Sequence, residues 1–181
     1  MTKVGVLVGS LRKESYARKW AKALVAELPS DFEVEFLEIG NLPLYNEEYD
    51  QDNPQEYIDF REAVKRQDAI ILATPEYNRS TSAALKNALD VASRPWGESV
   101  WGGKPVMILS HSISGMAGAV AAQSLKPTLS FLDMPLMHQP EVYLGNSADY
   151  FNEAGELTNE DTRQFLGTVA ESFVNHVKKH I

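Results

Sequence analysis

Three apolar runs, Val4–Val8, Ala69–Ala73 and Val106–Leu109, constrain this chain more than any other feature. Each is too short to make a helix and lacks a polar face. Each therefore reads as a strand buried on both sides, as in a parallel sheet covered by helices. Helical spacing fills the intervals. Ala17, Trp20, Ala21, Leu24 and Leu28 recur on one face until Pro29 ends the run. Pro54 suits the first turn of a helix reaching Gln67, and Thr81–Ser93 places Ala84, Leu85, Ala88, Leu89 and Ala92 together. Another helix follows the Ser110–Gly118 loop and runs to about Asp133. Glu33–Ile39 alternates charged and apolar residues like a half-exposed edge strand, and Glu141–Leu144 adds a last strand. Thr158 is the expected cap of a final helix whose stripe is Phe165, Val169, Phe173 and Val177.

With right-handed crossovers, this alternation predicts an α/β three-layer sandwich. Its five-stranded parallel sheet takes the flavodoxin-like order 2-1-3-4-5, in a single domain spanning residues 1–181. Ligands of such sheets bind beyond the carboxyl ends of the strands, so Gly9–Ser15, Pro75–Ser80 and Ser110–Gly118 should converge. The absence of cysteine excludes a disulfide framework, a thiolate metal site and a cysteine nucleophile. A formal net charge of −8 with no basic stripe argues against a nucleic-acid surface. No apolar run is long enough to span a bilayer, and Met1-Thr2-Lys3 leads directly into strand-like sequence, so the expectation is a cytoplasmic protein without membrane contact.

The first loop carries the chemistry. After Gly9 come Ser10, Leu11, Arg12, Lys13, Glu14 and Ser15, and then a helix begins. Helix N-termini leave amides unpaired and present a positive dipole end, and Ser10, Arg12 and Ser15 add donors suited to a phosphate. The plainer alternative is a strand-to-helix loop in which Ser10 or Ser15 caps the helix. There is no Gly-x-x-x-x-Gly-Lys-Ser/Thr loop and no Gly-x-Gly-x-x-Gly fingerprint. A hydroxyl-and-arginine loop suits one terminal phosphate, hence a mononucleotide.

In the second loop, Thr74-Pro75-Glu76-Tyr77-Asn78-Arg79-Ser80, Tyr77 offers an aromatic face to a planar heterocycle, or sits half-buried in an ordinary turn. The small residues of Ser110–Gly118 let a flat ring approach the backbone. His111 reads as a surface loop histidine, with proton donation as the alternative. His138, His176 and His180 lack partners at metal-ligand spacing, so no metal is expected. Glu14, Glu47, Glu48 and Asp50 read as solvated charges. Trp96 and Trp101 read as a rim over the pocket or a subunit contact.

Gly9-Ser10-Leu11-Arg12-Lys13-Glu14-Ser15-Tyr16, Leu42-Pro43-Leu44-Tyr45-Asn46, Thr74-Pro75-Glu76-Tyr77-Asn78 and Leu85-Lys86-Asn87-Ala88-Leu89-Asp90 together resemble the NADPH-dependent FMN reductase family, closest to its chromate, quinone and azo-dye reductase branch. The resemblance runs on through Phe131-Leu132-Asp133 and Pro140-Glu141. It implies FMN, with Ser10, Arg12, Ser15, Tyr16 and the amide of Ala17 around the phosphate. It further implies that Pro75, Glu76, Tyr77 and Asn78 contact the isoalloxazine and that Ser112 closes the ring side. Ala17 stands where the family usually has asparagine, Arg79 where it tends to have glycine, and Val120 where relatives often carry arginine.

The resemblance also implies hydride transfer from NADPH or NADH through FMN to a small-molecule acceptor: a quinone, azo compound, chromate or free flavin. It implies a homodimer or homotetramer. Flavin carries the hard chemistry, so no general acid–base residue is nominated. The alternative on the same fold is a flavodoxin-type electron carrier, or flavin-binding module, with no NAD(P)H reaction of its own.

Overall fold

A computed structural model describes residues 1–181. Strands β1 (Thr2–Val8), β2 (Phe32–Leu37), β3 (Ala69–Pro75), β4 (Val106–His111) and β5 (Val142–Leu144) pair in parallel in the order β2-β1-β3-β4-β5. The expected flavodoxin-like α/β sandwich is therefore the observed fold. Helices α1 (Tyr16–Val25) and α5 (Glu160–Lys178) cover one face. The other face carries α2 (Gln55–Lys65), α3 (Ala83–Ala92) and α4 (Ala119–Phe131).

Strand alternation divides the core. Val4, Val6, Val8, Ile71 and Ala73 pack toward α1 and α5, while Leu7, Ile70 and Leu72 pack toward α2, α3 and α4. Every residue of β3 and β4 is buried, because these strands have neighbours on both edges and helices on both faces. Edge strand β2 alternates as its sequence predicts, with Glu33 and Glu35 exposed. No helix is long and apolar enough to cross a membrane.

The structure corrects three local readings. Helix α5 is capped by Asn159, whose Oδ1 accepts from the Thr162 amide at 2.8 Å, while the Thr158 hydroxyl donates to the Tyr150 carbonyl. The buried stripe is accordingly Leu166, Val169, Ala170, Phe173, Val174 and Val177, and Phe165 turns outward beside Trp20 and Tyr150. Trp101 is neither a rim nor a contact residue. It is fully buried among the α2–α4 residues, and its indole N–H donates to the Leu89 carbonyl at 2.9 Å.

Candidate functional site

Gly9 begins the site. Its amide donates to the Ala73 carbonyl at 2.8 Å, continuing the β1–β3 ladder one residue past the strand. A Cβ there would lie 2.7 Å from Ser82 Oγ and 3.0 Å from Pro75 Cδ, so only glycine lets the first two loops touch. Beyond Gly9, none of the main-chain amides from Ser10 to Ala17 donates to a protein acceptor. Ser15 does cap α1, its Oγ accepting from the Arg18 amide at 3.1 Å. Its hydroxyl proton is still available to a ligand.

The remaining residues of the first loop divide by direction. Ser10 is 7% exposed, yet its hydroxyl pairs with no protein group. Ser10 and Arg12 line a cavity of about 280 Å³ with Arg18, Glu38 and Gly40; Lys13 does not. The Arg12 guanidinium has no protein carboxylate partner. Ala17 packs its methyl fully into the core and offers only its amide. Tyr16 is half-buried, with its ring against Phe151 and His111.

In the second loop, Tyr77 and Ser80 exchange both N–H···O bonds at 3.0 Å, closing a turn with Asn78 and Arg79 at φ of 50° and 64°. Two central residues at positive φ make this a type I′ turn. The Tyr77 ring is 46% exposed, and the amides of Glu76, Asn78 and Arg79 donate to nothing in the protein. The Glu76 carboxylate is held at the start of α4. Its Oε2 accepts from the amides of Val120 and Ala121 at 3.1 and 3.3 Å, and its Oε1 pairs with Arg79 at 2.9 Å. It thereby supplies the acceptor that α4 lacks, since Gly118 gives no side-chain cap.

The third loop starts later than the sequence suggests, because β4 continues through His111 opposite Pro75. His111 is 6% exposed, which overturns its reading as a surface histidine. Ser147 Oγ donates to the Ser112 carbonyl at 3.0 Å and accepts from the Trp20 indole at 2.9 Å. Its remaining lone pair faces His111 Nδ1 at 3.2 Å, so Nδ1 carries the proton and the buried Nε2 is a bare lone pair without a partner. Burial pushes the His111 pKa down to about 4. The imidazole is neutral at physiological pH. Ser112 Oγ faces Ser114 Oγ at 3.1 Å and accepts from the Ser114 amide.

Asp50 is not the solvated charge that its neighbours suggest. It accepts from Arg94 Nε at 3.2 Å and from the Tyr45 hydroxyl at 3.3 Å. Sequence reasoning also missed Ser147 and Ser82, small residues whose roles depend on partners far along the chain.

The three loops meet as expected, and the donors fit a flavin mononucleotide. Free amides and hydroxyls at the start of α1 suit a phosphate. Free amides flanking an exposed tyrosine suit the carbonyl and ring-nitrogen acceptors of an isoalloxazine.

The model of NADPH-dependent FMN reductases matches residues 2–149. A quinone reductase of Pseudomonas putida is 48% identical over 97% of this chain and 94% of its own length. A 2-hydroxy-1,4-benzoquinone reductase of a Burkholderia species is 43% identical over 97% of this chain and 96% of its own. Among solved structures, the flavoenzyme NAD(P)H:(acceptor) oxidoreductase of Paracoccus denitrificans superposes with a TM-score of 0.93 at 36% identity, covering 99% of both chains.

Burial of neutral His111 sets a pH dependence. Between its free value of 6.5 and about 4, the unfolded chain holds a proton that the folded chain refuses. Stability is therefore undiminished above that window and falls on acidification by about 1.4 kcal/mol per pH unit, roughly 3 kcal/mol in all. Urea unfolding of the wild type and His111→Gln across the window checks this: the variant should show the shallower slope, and parallel slopes would mean that folded His111 is protonated.

Proposed function

The chain belongs to the NADPH-dependent FMN reductase family and is an FMN-dependent NAD(P)H oxidoreductase, and we propose that quinones are its principal electron acceptors. Azo compounds, chromate and free flavin are further acceptors of the same crevice, and residues 1–181 act as one flavin-binding domain. The observation that carries the site assignment is the run of unpaired amides from Ser10 to Ala17 at the start of α1. We assign the FMN phosphate to these amides with Ser10, Ser15, Tyr16 and Arg12. The isoalloxazine is assigned to Pro75, Tyr77, the backbone of Glu76 and Asn78, and Ser112.

When bound, FMN would supply the two-electron redox chemistry between NAD(P)H and the acceptor. The chain's part is to bind, orient and shelter. Gly9 lets the two loops close on each other, and the Glu76 carboxylate ties the second loop to the start of α4. No side chain is assigned as general acid or base, and the enclosed neutral His111 does not reach solvent.

A flavodoxin-type carrier without NAD(P)H chemistry is the competing reading. Anaerobic mixing of the FMN-loaded protein with NADPH separates the two. Rapid bleaching of the flavin is expected, and a flavin that dithionite reduces but NADPH does not would make the protein a carrier.

The assignment of the phosphate predicts unequal effects of two adjacent cations. Arg12→Ala removes a charge-assisted bond worth ~1.5–3 kcal/mol and should weaken FMN binding about ten- to a hundredfold. Lys13→Ala, outside the cavity, should change it by less than about threefold. Equal effects in fluorescence titrations would place the phosphate elsewhere.

We also infer a homodimer, with pairing of dimers into a tetramer as its extension. Trp96 and Phe131 are 77% and 76% exposed around a hollow of about 660 Å³ rimmed by Asp90, Arg94 and Asp133. Large exposed aromatics around one hollow are characteristic of interfaces. Light scattering at micromolar concentration should give at least twice the 20.2 kDa chain mass. Trp96→Glu should shift the particle toward monomer, and a wild-type particle of chain mass that still holds reducible flavin overturns the inference.

A further inference from the structure

Arg79 occupies a backbone position that suits it poorly. It is the second central residue of the Tyr77–Ser80 turn, at φ 64°, a left-handed conformation in which glycine is least strained. A long cationic side chain is held there against the preference of its own backbone. The turn is anchored on both sides, with Glu76 on the α4 amides and the Thr81 amide donating to Ser124 Oγ at 3.1 Å. The side chain is therefore presented from a fixed base.

The guanidinium is also underused. Its single protein partner is Glu76 Oε1 at 2.9 Å, and the side chain is 64% exposed. The Glu76 side chain is only 8% exposed and already accepts two amides of α4, so its charge is shared with the helix end. Most of the guanidinium N–H donors face outward with no protein acceptor. The third loop across the crevice, Ser110–Gly118, contains no carboxylate, and its histidine is neutral. A positive, forked donor is thus carried on the Tyr77–Ser80 turn, two residues after the exposed Tyr77, on a chain of net charge −8.

We propose that Arg79 selects among electron acceptors, favouring planar acceptors with an ionised oxygen, such as hydroxyquinones or quinone carboxylates, over neutral quinones. An anionic oxygen on the acceptor satisfies the outward N–H pair in the two-pronged geometry that guanidinium makes with carboxylate-like groups. Neutral acceptors still stack on the same platform but leave that pair to water. This rests on the crevice being the flavin site.

The test uses the FMN-loaded protein and two inert probes of matched shape, benzoate and benzamide, with binding read from the flavin absorbance. Wild type should hold benzoate about tenfold more tightly than benzamide, as one added charge-assisted bond implies. The preference should vanish in Arg79→Gln and in Arg79→Gly and partly return in Arg79→Lys. In turnover, the ratio of kcat/KM for a hydroxyquinone to that for an unsubstituted quinone should fall by the same factor. Arg79→Gly distinguishes selection from a structural role: it relieves the left-handed turn, so its unfolding midpoint should rise while its selectivity is lost.

Failure to take up FMN overturns the flavin reading and this proposal together. FMN uptake with equal binding of the two probes by wild type, or with a benzoate preference that survives in Arg79→Gln, overturns this proposal alone. A rise in the KM for NADPH in Arg79→Gln as large as the loss of benzoate binding reassigns the arginine to the nucleotide donor and also overturns it.

Discussion

The side chain missing at Gly9 is the constraint on which the rest of the site depends. A Cβ there would meet Ser82 Oγ at 2.7 Å and Pro75 Cδ at 3.0 Å, and neither neighbour is free to move. Ser82 caps α3 through the Leu85 amide, and Pro75 ends a fully buried strand. The two loops following the central strands are therefore in van der Waals contact, and the helices that follow them start close together. Of the helix N-termini opening at this end of the sheet, α4 receives the Glu76 carboxylate and α1 keeps its amides free. The positive end of α4 is neutralised and that of α1 is left for a ligand. Anion preference is placed by where the carboxylate goes as much as by where the arginine goes.

Sequence reading captured what depends on local pattern. Apolar runs, helical spacing and the strand–helix alternation were enough for the sheet order, and Gly9-Ser10 through Ser15 was legible because helix ends have predictable free donors. What escaped depends on partners distant in the chain. His111 looks like a loop residue until β5 and the Ser147 turn are laid beside β4, where a serine thirty-six positions later accepts a hydrogen bond from its Nδ1. Trp101 looks like a surface aromatic until Leu89 provides a carbonyl inside the core. Asp50 sits among exposed acids and differs from them in being packed against both Arg94 and the Tyr45 hydroxyl, its side chain 12% exposed where that of Glu47, also near Arg94, is 82%. In α5, Val169, Phe173 and Val177 are buried as expected, but the stripe widens through Leu166, Ala170 and Val174 and leaves Phe165 outside, while the cap is Asn159 in place of Thr158.

Two stretches that carry the family resemblance at separate places in the sequence turn out to be one contact. Asn87 of α3 accepts from the Tyr45 amide at 2.8 Å through Oδ1 and donates to the Pro43 carbonyl at 2.9 Å through Nδ2. The Tyr57 hydroxyl of α2 donates to the next carbonyl, that of Leu44, at 2.9 Å. A loop with no regular hydrogen bonding of its own is thus pinned to two helices by side-chain amide and phenol groups. The pinning continues through the Tyr45 hydroxyl, Asp50 and Arg94 to the wall of the hollow beside Trp96. Replacing Asn87 would unsettle both the loop and that wall, although it stands in neither.

On the proposed phosphate assignment, little of the anion grip rests on side chains. Arg12 is exposed, Ser15 is partly committed to capping, and Ala17 spends its side chain on the core. The amides are fixed once α1 forms, so holding a phosphate with them orders no long side chain on binding. Arg12 must be ordered, which sets its net contribution below the full value of an ion pair. A buried cation in place of neutral His111 would have strengthened the field behind Tyr16, but at the cost of charging a core that offers its Nε2 no partner. On the proposed assignment, a ligand's charge is balanced by main-chain dipoles inside and one guanidinium at the solvent edge, which keeps the core apolar.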